Sequence, residues 1–203
     1  IDEKDHSGEH SMSVGSNALP SGSKYGSGFI AKLSPTGVVD WAHALTSVEG
    51  GWVKGLDVAF SPNGNAYLVG QFNTVIQLEQ GGTPVSGIQK DGFIAAYSPE
   101  GERLSFNVLG GGSDDAVSAV EVDDTGKVWV AGHFGADPKR RPISIGDVNM
   151  SNSGDSSIFV SGFDQFVSPQ NVVLLGESSN GIVEDLHKVG NEIFLVGRTE
   201  KES

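Results

Sequence analysis

Two stretches decide the fold: Gly-Phe-Ile-Ala-Lys-Leu-Ser-Pro at residues 28–35 and Gly-Phe-Ile-Ala-Ala-Tyr-Ser-Pro at residues 92–99. A degraded third copy, Ile-Phe-Val-Ser-Gly-Phe-Asp, occupies residues 158–164. The copies are about 64 residues apart, and a fixed period of this length is typical of repeat architectures, in which no unit buries its apolar faces alone. The sequence therefore predicts a chain built from repeats of one structural unit.

A second marker recurs in step with the first. It reads Asn-Ala-Tyr-Leu-Val-Gly at residues 65–70, Lys-Val-Trp-Val-Ala-Gly at 127–132 and Glu-Ile-Phe-Leu-Val-Gly at 192–197. Such runs of β-branched and aromatic residues, separated by glycine-containing turns, predict four short strands per unit. In the middle unit we expect these strands at residues 56–61, 65–72, 93–98 and 104–109. Four antiparallel strands joined by tight turns and repeated radially describe a β-propeller blade.

The markers also resemble a known family. The Phe-Ile-Ala-Lys-Leu strand, the Gly-Gly-Gly-Ser-Asp-Asp turn at residues 110–115 and the Gly-Lys-Val-Trp-Val-Ala-Gly hairpin at residues 126–132 are similar to the bacterial SBBP-type β-propeller repeats. The similarity covers roughly residues 11–198. It implies an all-β fold of four-stranded blades and a place in an exported, cell-surface or periplasmic protein. The turn differs at residues 46–50 and 176–180, so the resemblance does not imply a site shared by all the turns.

The repeats divide the chain into blades and half-blades. We expect a flexible N-terminal loop at residues 1–10, a half-blade at 11–46, whole blades at 53–110 and 116–176, and a second half-blade at 181–198. Together these make about three blade-equivalents, fewer than the four to eight blades of known propellers. Three arrangements stay open: a segment of a longer propeller, two copies in a six-bladed ring, or an open three-bladed arrangement. We favour the segment of a longer propeller, in which the chain forms an arc whose two flanks are the half-blades.

Composition limits the class of partner. The formal net charge of −13 gives a field that repels phosphate backbones and anionic lipid surfaces, so we expect no nucleic-acid binding and no membrane insertion. The chain contains no cysteine, which excludes disulfides and thiolate metal sites. No apolar run reaches the roughly 18 residues of a membrane-spanning helix.

Polar residues at matching positions are the candidate binding site. Gln71, His133 and Arg198 each follow the repeated glycine of a second strand, and could form a recognition ring near a central channel; solvated strand ends are the alternative. Trp52, beside two glycines, could stack on a sugar or pack against the neighbouring blade.

Paired aspartates are weak candidates for a metal site. Asp114 and Asp115 precede one predicted strand, and Asp123 and Asp124 follow it. Carboxylates are ligands that Ca²⁺ prefers, but the two pairs lie some 20 Å apart at the rise of a strand, and cannot share one ion. Turn residues that bond to their own backbone are the better interpretation. We expect no cofactor.

No catalytic set of residues stands out in the sequence. We therefore expect a non-catalytic extracellular or envelope β-propeller module that binds a protein or glycan partner, including other chains that complete the propeller. One alternative is a structural subunit of a larger surface assembly. The other is a polysaccharide hydrolase or lyase, which would need two carboxylates facing each other across the channel.

Overall fold

A computed structural model describes residues 12–19, 25–47, 50–78, 82–135, 143–145, 148–150, 157–175 and 181–199. The expected loop at residues 1–10 lies outside these ranges. All regular elements of the described part are β-strands, and all pairs of named strands are antiparallel. The all-β prediction is confirmed. No helix of the described residues is long and apolar enough to cross a membrane.

Sixteen strands follow one another along the chain. The first four are β1 (Met12–Val14), β2 (Asn17–Leu19), β3 (Gly28–Leu33) and β4 (Val39–Leu45). The next four are β5 (Val53–Phe60), β6 (Ala66–Ile76), β7 (Val85–Tyr97) and β8 (Arg103–Gly110). Then come β9 (Ala116–Val122), β10 (Val128–Phe134), β11 (Ile143–Ile145), β12 (Val148–Met150), β13 (Ser157–Phe163) and β14 (Pro169–Leu175). The last two are β15 (Gly181–Val189) and β16 (Glu192–Thr199).

Two of the sheets contain the four-stranded unit that the repeats predict. In the central sheet β5, β6, β7 and β8 lie side by side in chain order, and the short β11 and β12 extend it beyond β8. In the second sheet the order is β9, β10, β13 and β14. The N-terminal hairpin (β3 and β4) and the C-terminal hairpin (β15 and β16) are separate two-stranded sheets. Among the described residues these sheets do not close into one barrel or ring.

The second and third strands of the middle unit are longer than the expected ranges of residues 65–72 and 93–98. β6 continues to Ile76 and β7 begins at Val85, so most of the chain between the two expected strands extends the same hairpin. Val75 and Ile76 are both buried in this extension, so it adds to the core. Thr46 bridges Gln77 there, so the extension also joins the end of the preceding unit.

The four units pack in chain order with an apolar layer between each neighbouring pair. β9 contacts both β5 and β15, so the first strands of successive units lie next to one another, and the N-terminal hairpin contacts β5. The layer between the N-terminal hairpin and the central sheet contains Ile30 and Phe93. The layer between the two large sheets contains Tyr67 and Phe159, and the third layer, against the C-terminal hairpin, contains Leu186. The core is therefore a series of layers between sheets.

The two repeated markers are partners across neighbouring strands. Gly70 of β6 pairs with Phe93 of β7, and Gly132 of β10 pairs with Phe159 of β13. A Cβ added at Gly70 would lie 2.7 Å from Cε1 of Phe93, and one at Gly132 would lie 2.8 Å from Cε1 of Phe159. The same Cβ atoms would lie even closer to backbone, 2.1 Å from the oxygen of Lys54 and 2.0 Å from the oxygen of Ala116. Each glycine thus lies between an aromatic ring and the backbone of the preceding strand, where a side chain has no room, and the two markers recur together.

Candidate functional site

The three residues of the expected recognition ring occupy the same register in successive units. Gln71 lies between Lys54 and Gly92, and its Nε2 donates a hydrogen bond to the backbone oxygen of Asp115 at 2.9 Å. The side chain of Gln71 is therefore hydrogen-bonded to the residue before β9, the first strand of the second sheet.

The other two members differ from Gln71 in their surroundings. His133 is half-buried in β10, opposite Ala116 and Ile158. Arg198 is exposed in β16, where its Nε lies 3.3 Å from Oε1 of Glu184. Gln71, His133 and Arg198 therefore share a position in the repeat but lie in three different environments. A ring of recognition residues stays a prediction.

Trp52 is half-buried and held by one neighbour. Its backbone N–H donates to Oδ1 of Asn73 at 2.6 Å, and its backbone oxygen accepts from the N–H of Asn73 at 3.1 Å. The ammonium of Lys54 lies 4.8 Å from the centre of the indole ring, a cation–π distance. These contacts fix the backbone of Trp52 and shield part of the ring face that a sugar would need.

The aspartate pair before β9 divides into an exposed and a buried member. Asp114 forms an ion pair with Lys90. Asp115 is 1% exposed, and its carboxylate accepts from the backbone N–H groups of Gly111 at 2.6 Å and Gly135 at 3.0 Å. The buried member thus organises two glycine-containing loops, as an internal turn residue does.

A second buried carboxylate lies against this one. Asp91 is 2% exposed in β7, and its Oδ2 accepts from the N–H of Ile88 at 2.7 Å. One oxygen of Asp91 and one of Asp115 lie 1.9 Å and 3.0 Å from the point where Gly110 would carry a Cβ. The two oxygens are therefore within about 5 Å of one another, close enough for each negative charge to oppose the other. Gly110 makes room for this buried pair.

Burial dominates the electrostatics of the pair. Desolvation raises the pKa of Asp115 to about 8, against the opposing effect of the hydrogen bonds from Gly111 and Gly135, and the nearby Asp91 and Asp114 charges add to the rise. Desolvation likewise raises the pKa of Asp91. The pair therefore holds a proton at neutral pH, and a protonated carboxyl can donate a hydrogen bond as well as accept one.

Sequence reasoning identified Asp115 but not Asp91. The only local signal was an acid at the start of an apolar strand, immediately before Gly92. The corresponding positions of the other units are Ser27 and Ser157, so the repeats gave no pattern from which a buried acid could be inferred.

A separate cleft of about 200 Å³ lies at the opposite end of the strands, between turns. The turn between β5 and β6, the turn between β9 and β10 and the turn between β13 and β14 all contribute to it. We call it the turn cleft; it is lined by Ser61, Pro62, Asn63, Tyr67, Asp124, Thr125, Gly126 and Gln165. Tyr67 Oη donates to the backbone oxygen of Gln165 at 3.2 Å, which joins the two large sheets at its floor. The sequence predicted the turns but not their convergence.

The two aspartate pairs considered for a metal site stay apart in the described structure. Among the described residues, no group of three His, Asp or Glu side chains could hold a metal ion. Asp115 and Asp123 lie at opposite ends of the seven-residue β9, as their spacing predicts.

The chain matches no protein-family model and no curated protein at a significant level. The SBBP-type resemblance therefore stays a prediction that depends on the repeated residues.

Proposed function

We propose that the chain is a segment of a β-propeller and serves as a non-catalytic binding module for a glycan or a polar protein segment. The support for the propeller is the repeated order of four antiparallel strands and the packing of first strand against first strand in successive units. In this proposal the N-terminal and C-terminal hairpins are half-blades at the two flanks of an arc.

The chemistry of the turn cleft carries the binding proposal. The hydroxyls of Ser61 and Thr125 in its lining already bond within their own turns, to Asn63 and to Asp123. The described lining presents the exposed side chains of Asn63 and Asp124 and includes no Lys or Arg. Hydroxyl-rich ligands exchange hydrogen bonds with such groups, whereas phosphate or sulfate groups need cations. A cleft of about 200 Å³ is smaller than drug-sized pockets and suits one sugar ring or one side chain of a larger partner.

A glycan array followed by titration calorimetry with any glycan that binds tests this proposal. We expect Asn63→Ala and Asp124→Ala each to weaken binding by about tenfold, because each removes one hydrogen bond to the ligand. Gln71→Ala, in the middle of β6 and outside the lining of the turn cleft, is the matched control. Weakening by Gln71→Ala alone would instead locate the binding site at the expected recognition ring. No binding to glycans or to proteins from a pull-down would contradict the proposal.

The polysaccharide hydrolase alternative has less support. Its closest structural candidate is the Asp91–Asp115 pair, but both side chains are buried and accept backbone hydrogen bonds. An acid–base pair must reach the glycosidic oxygen and a water molecule, and so must face the substrate. Turnover of a polysaccharide that Asp115→Asn abolishes without loss of folding would favour it again.

An extracellular or envelope location is part of the same proposal. It depends on the SBBP-type resemblance and fits the acidic surface of a protein whose partners are not nucleic acids. Immunodetection in cell fractions of the source organism tests it, and recovery of the protein solely from the cytosolic fraction would contradict it.

A further inference from the structure

Large apolar side chains are exposed on the outer face of the C-terminal hairpin. Phe194 of β16 is 55% exposed, and Val196 on the same face is also exposed. The residues at the same positions of β6 are Tyr67 and Val69, which are fully buried between the two large sheets. The outer face of the hairpin thus continues an interface that the chain already forms internally, but no described residue covers it.

The opposite flank shows the complementary surface. Phe29 of β3 is 47% exposed, whereas Phe93, at the same position of β7, is fully buried. On β5, Phe60 is 56% exposed and Val58 is also exposed, whereas Val120, at the position of Val58 in the next unit, is buried against the central sheet. Within the described ranges, the N-terminal flank therefore exposes apolar side chains that the corresponding positions of the later units bury against a preceding unit.

The edges of β3 and β16 complete this relationship. Within the described ranges β3 pairs only with β4, and β16 pairs only with β15. β16 corresponds to β6 and β10, whereas β3 corresponds to β7 and β13, and those strands pair with each other. Gly197 corresponds to Gly70 and Gly132, and Phe29 corresponds to Phe93 and Phe159. The chain thus carries the two halves of a third glycine–phenylalanine pair on opposite flanks.

We propose that a second copy of this chain joins the two flanks, so that β15 and β16 of one copy and β3 and β4 of the other form a four-stranded sheet. In the register of β10 and β13, Gly197 lies opposite Phe29 of the second copy and Leu195 lies opposite its Ala31. Two such joints give a closed ring of six blade-equivalents. A ring of six lies in the range of known propellers, whereas closure within one chain would give three.

The same joint covers the exposed apolar faces. Phe194 and Val196 pack onto Val58 and Phe60 of the second copy, as Tyr67 and Val69 pack against β9 within the chain. Phe29 packs towards Leu175 of β14, which is exposed although Leu109, at the same position of β8, is fully buried. The occupant is therefore a copy of the chain itself, because each flank presents what the other lacks. The proposal is independent of ligand binding in the turn cleft.

Mass measurement in solution gives the first test. Light scattering after size exclusion should report twice the 21.2 kDa of the chain at micromolar concentration. Phe194→Asp should shift the mass to that of one chain, whereas Phe166→Asp, an equally exposed phenylalanine on the turn after β13, should not. Circular dichroism checks that both variants fold. A single-chain mass for the unaltered protein at all concentrations up to 100 micromolar, roughly the range of weak specific association, would overturn the proposal.

A cross-link between copies gives the second test and reports the register. The chain has no cysteine, so Ala31→Cys and Leu195→Cys each provide a single thiol. Directly paired antiparallel residues have Cα atoms about 4.5 to 5.5 Å apart, within the range that a disulfide spans. A mixture of the two variants should form a disulfide-linked dimer under mild oxidation, and Ala31→Cys mixed with Val189→Cys should not. Equal cross-linking in both mixtures, or none in either, would overturn the proposed joint.

Discussion

Asp57 Oδ2 accepts a hydrogen bond from the backbone N–H of Val120 at 2.9 Å, and thereby joins the first strands of the two large sheets. Oδ1 of the same carboxylate accepts from the N–H of Val58 at 2.8 Å. The pairing of β5 with β6 is irregular between Gly55 and Asp57. The carboxylate of Asp57 accepts from its own strand, β5, and from β9. At the next interface a different position of β9 supplies the carboxylate, because Glu121 Oε2 accepts from the N–H of Lys188. The units are therefore joined by hydrogen bonds to the backbone as well as by apolar layers.

Asp57→Ala should lower the free energy of unfolding by about 1–3 kcal/mol, because it leaves the N–H of Val120 without this acceptor at a packed interface. Urea unfolding followed by circular dichroism measures the change. Asp40→Ala is the control, since Asp40 is exposed and its nearest cation, Lys32 Nζ, is 3.9 Å away. We expect the control to change the stability by less than about 0.5 kcal/mol. Equal effects of the two changes would contradict the role of Asp57.

The buried Asp91–Asp115 pair should make the protein less stable as the pH rises. The pKa of Asp115 is raised to about 8 in the folded state, so between the unfolded value near 4 and about 8 the folded protein holds a proton that the unfolded chain releases. The stabilising contribution is complete below pH 4 or so and is lost as the pH passes through 8. The free energy of unfolding should fall by up to about 1.4 kcal/mol per pH unit in this window.

Asp115→Asn tests the assignment of this slope. The amide does not titrate, so urea unfolding at several pH values should show a flatter dependence, whatever the variant's absolute stability. An unchanged slope in Asp115→Asn would assign the titration to another group, and a slope of opposite sign in the unaltered protein would contradict the prediction altogether.

The order of strands was predictable from the repeats, because the same packing contact between neighbouring strands recurs in each four-stranded unit. Gly70 and Gly132 lie beneath the rings of Phe93 and Phe159, so substitution at either partner destroys a packed contact. Turns with a glycine at positive φ, such as Gly64 and Gly126, were predictable for the same reason.

The candidate sites were less predictable, because they depend on contacts between units that differ in sequence. The turn cleft forms because the turns at Asn63, Thr125 and Gln165 lie close together. The sequence of one unit does not indicate how far its turn lies from the turn of another unit. The Asp91–Asp115 pair joins two units, and Ser27 and Ser157 stand at the position of Asp91 in the other copies, so no repeat marks the pair. The extension of β6 and β7 beyond the expected strands was also missed, because it lies outside the repeated markers.

Gly132→Ala should destabilise the protein strongly, by about 2–4 kcal/mol, because the new Cβ has no free space. It would lie 2.0 Å from the backbone oxygen of Ala116 and 2.8 Å from Cε1 of Phe159. Phe159→Leu in the same chain should rescue little of the loss, since the nearer contact is with backbone. Thermal unfolding of the two single variants and the double variant measures this. Full rescue would show that the ring alone requires the glycine.

The hairpin turn between β9 and β10 depends on Asp123, whose side chain is bound far more closely than that of its neighbour Asp124. Asp123 Oδ1 accepts from the N–H of Thr125 at 2.9 Å and the N–H of Lys127 at 3.1 Å, and Oδ2 accepts from the indole N–H of Trp129 at 3.0 Å. Partial burial by itself would raise the pKa of Asp123, but the hydrogen bonds of the Thr125 and Trp129 side chains and of the backbone lower it to about 2.

Asp123→Ala should therefore cost about 1–3 kcal/mol at neutral pH, and Asp124→Ala, at an exposed turn position, less than about 0.5 kcal/mol. Because the folded pKa lies below the unfolded value near 4, the contribution of Asp123 is present above pH 4 and is lost as the pH falls through about 2. The difference in urea-unfolding free energy between the unaltered protein and Asp123→Ala should shrink over that range. A difference that stays constant from pH 7 to 2 would show that packing, and not the charge of Asp123, stabilises the turn.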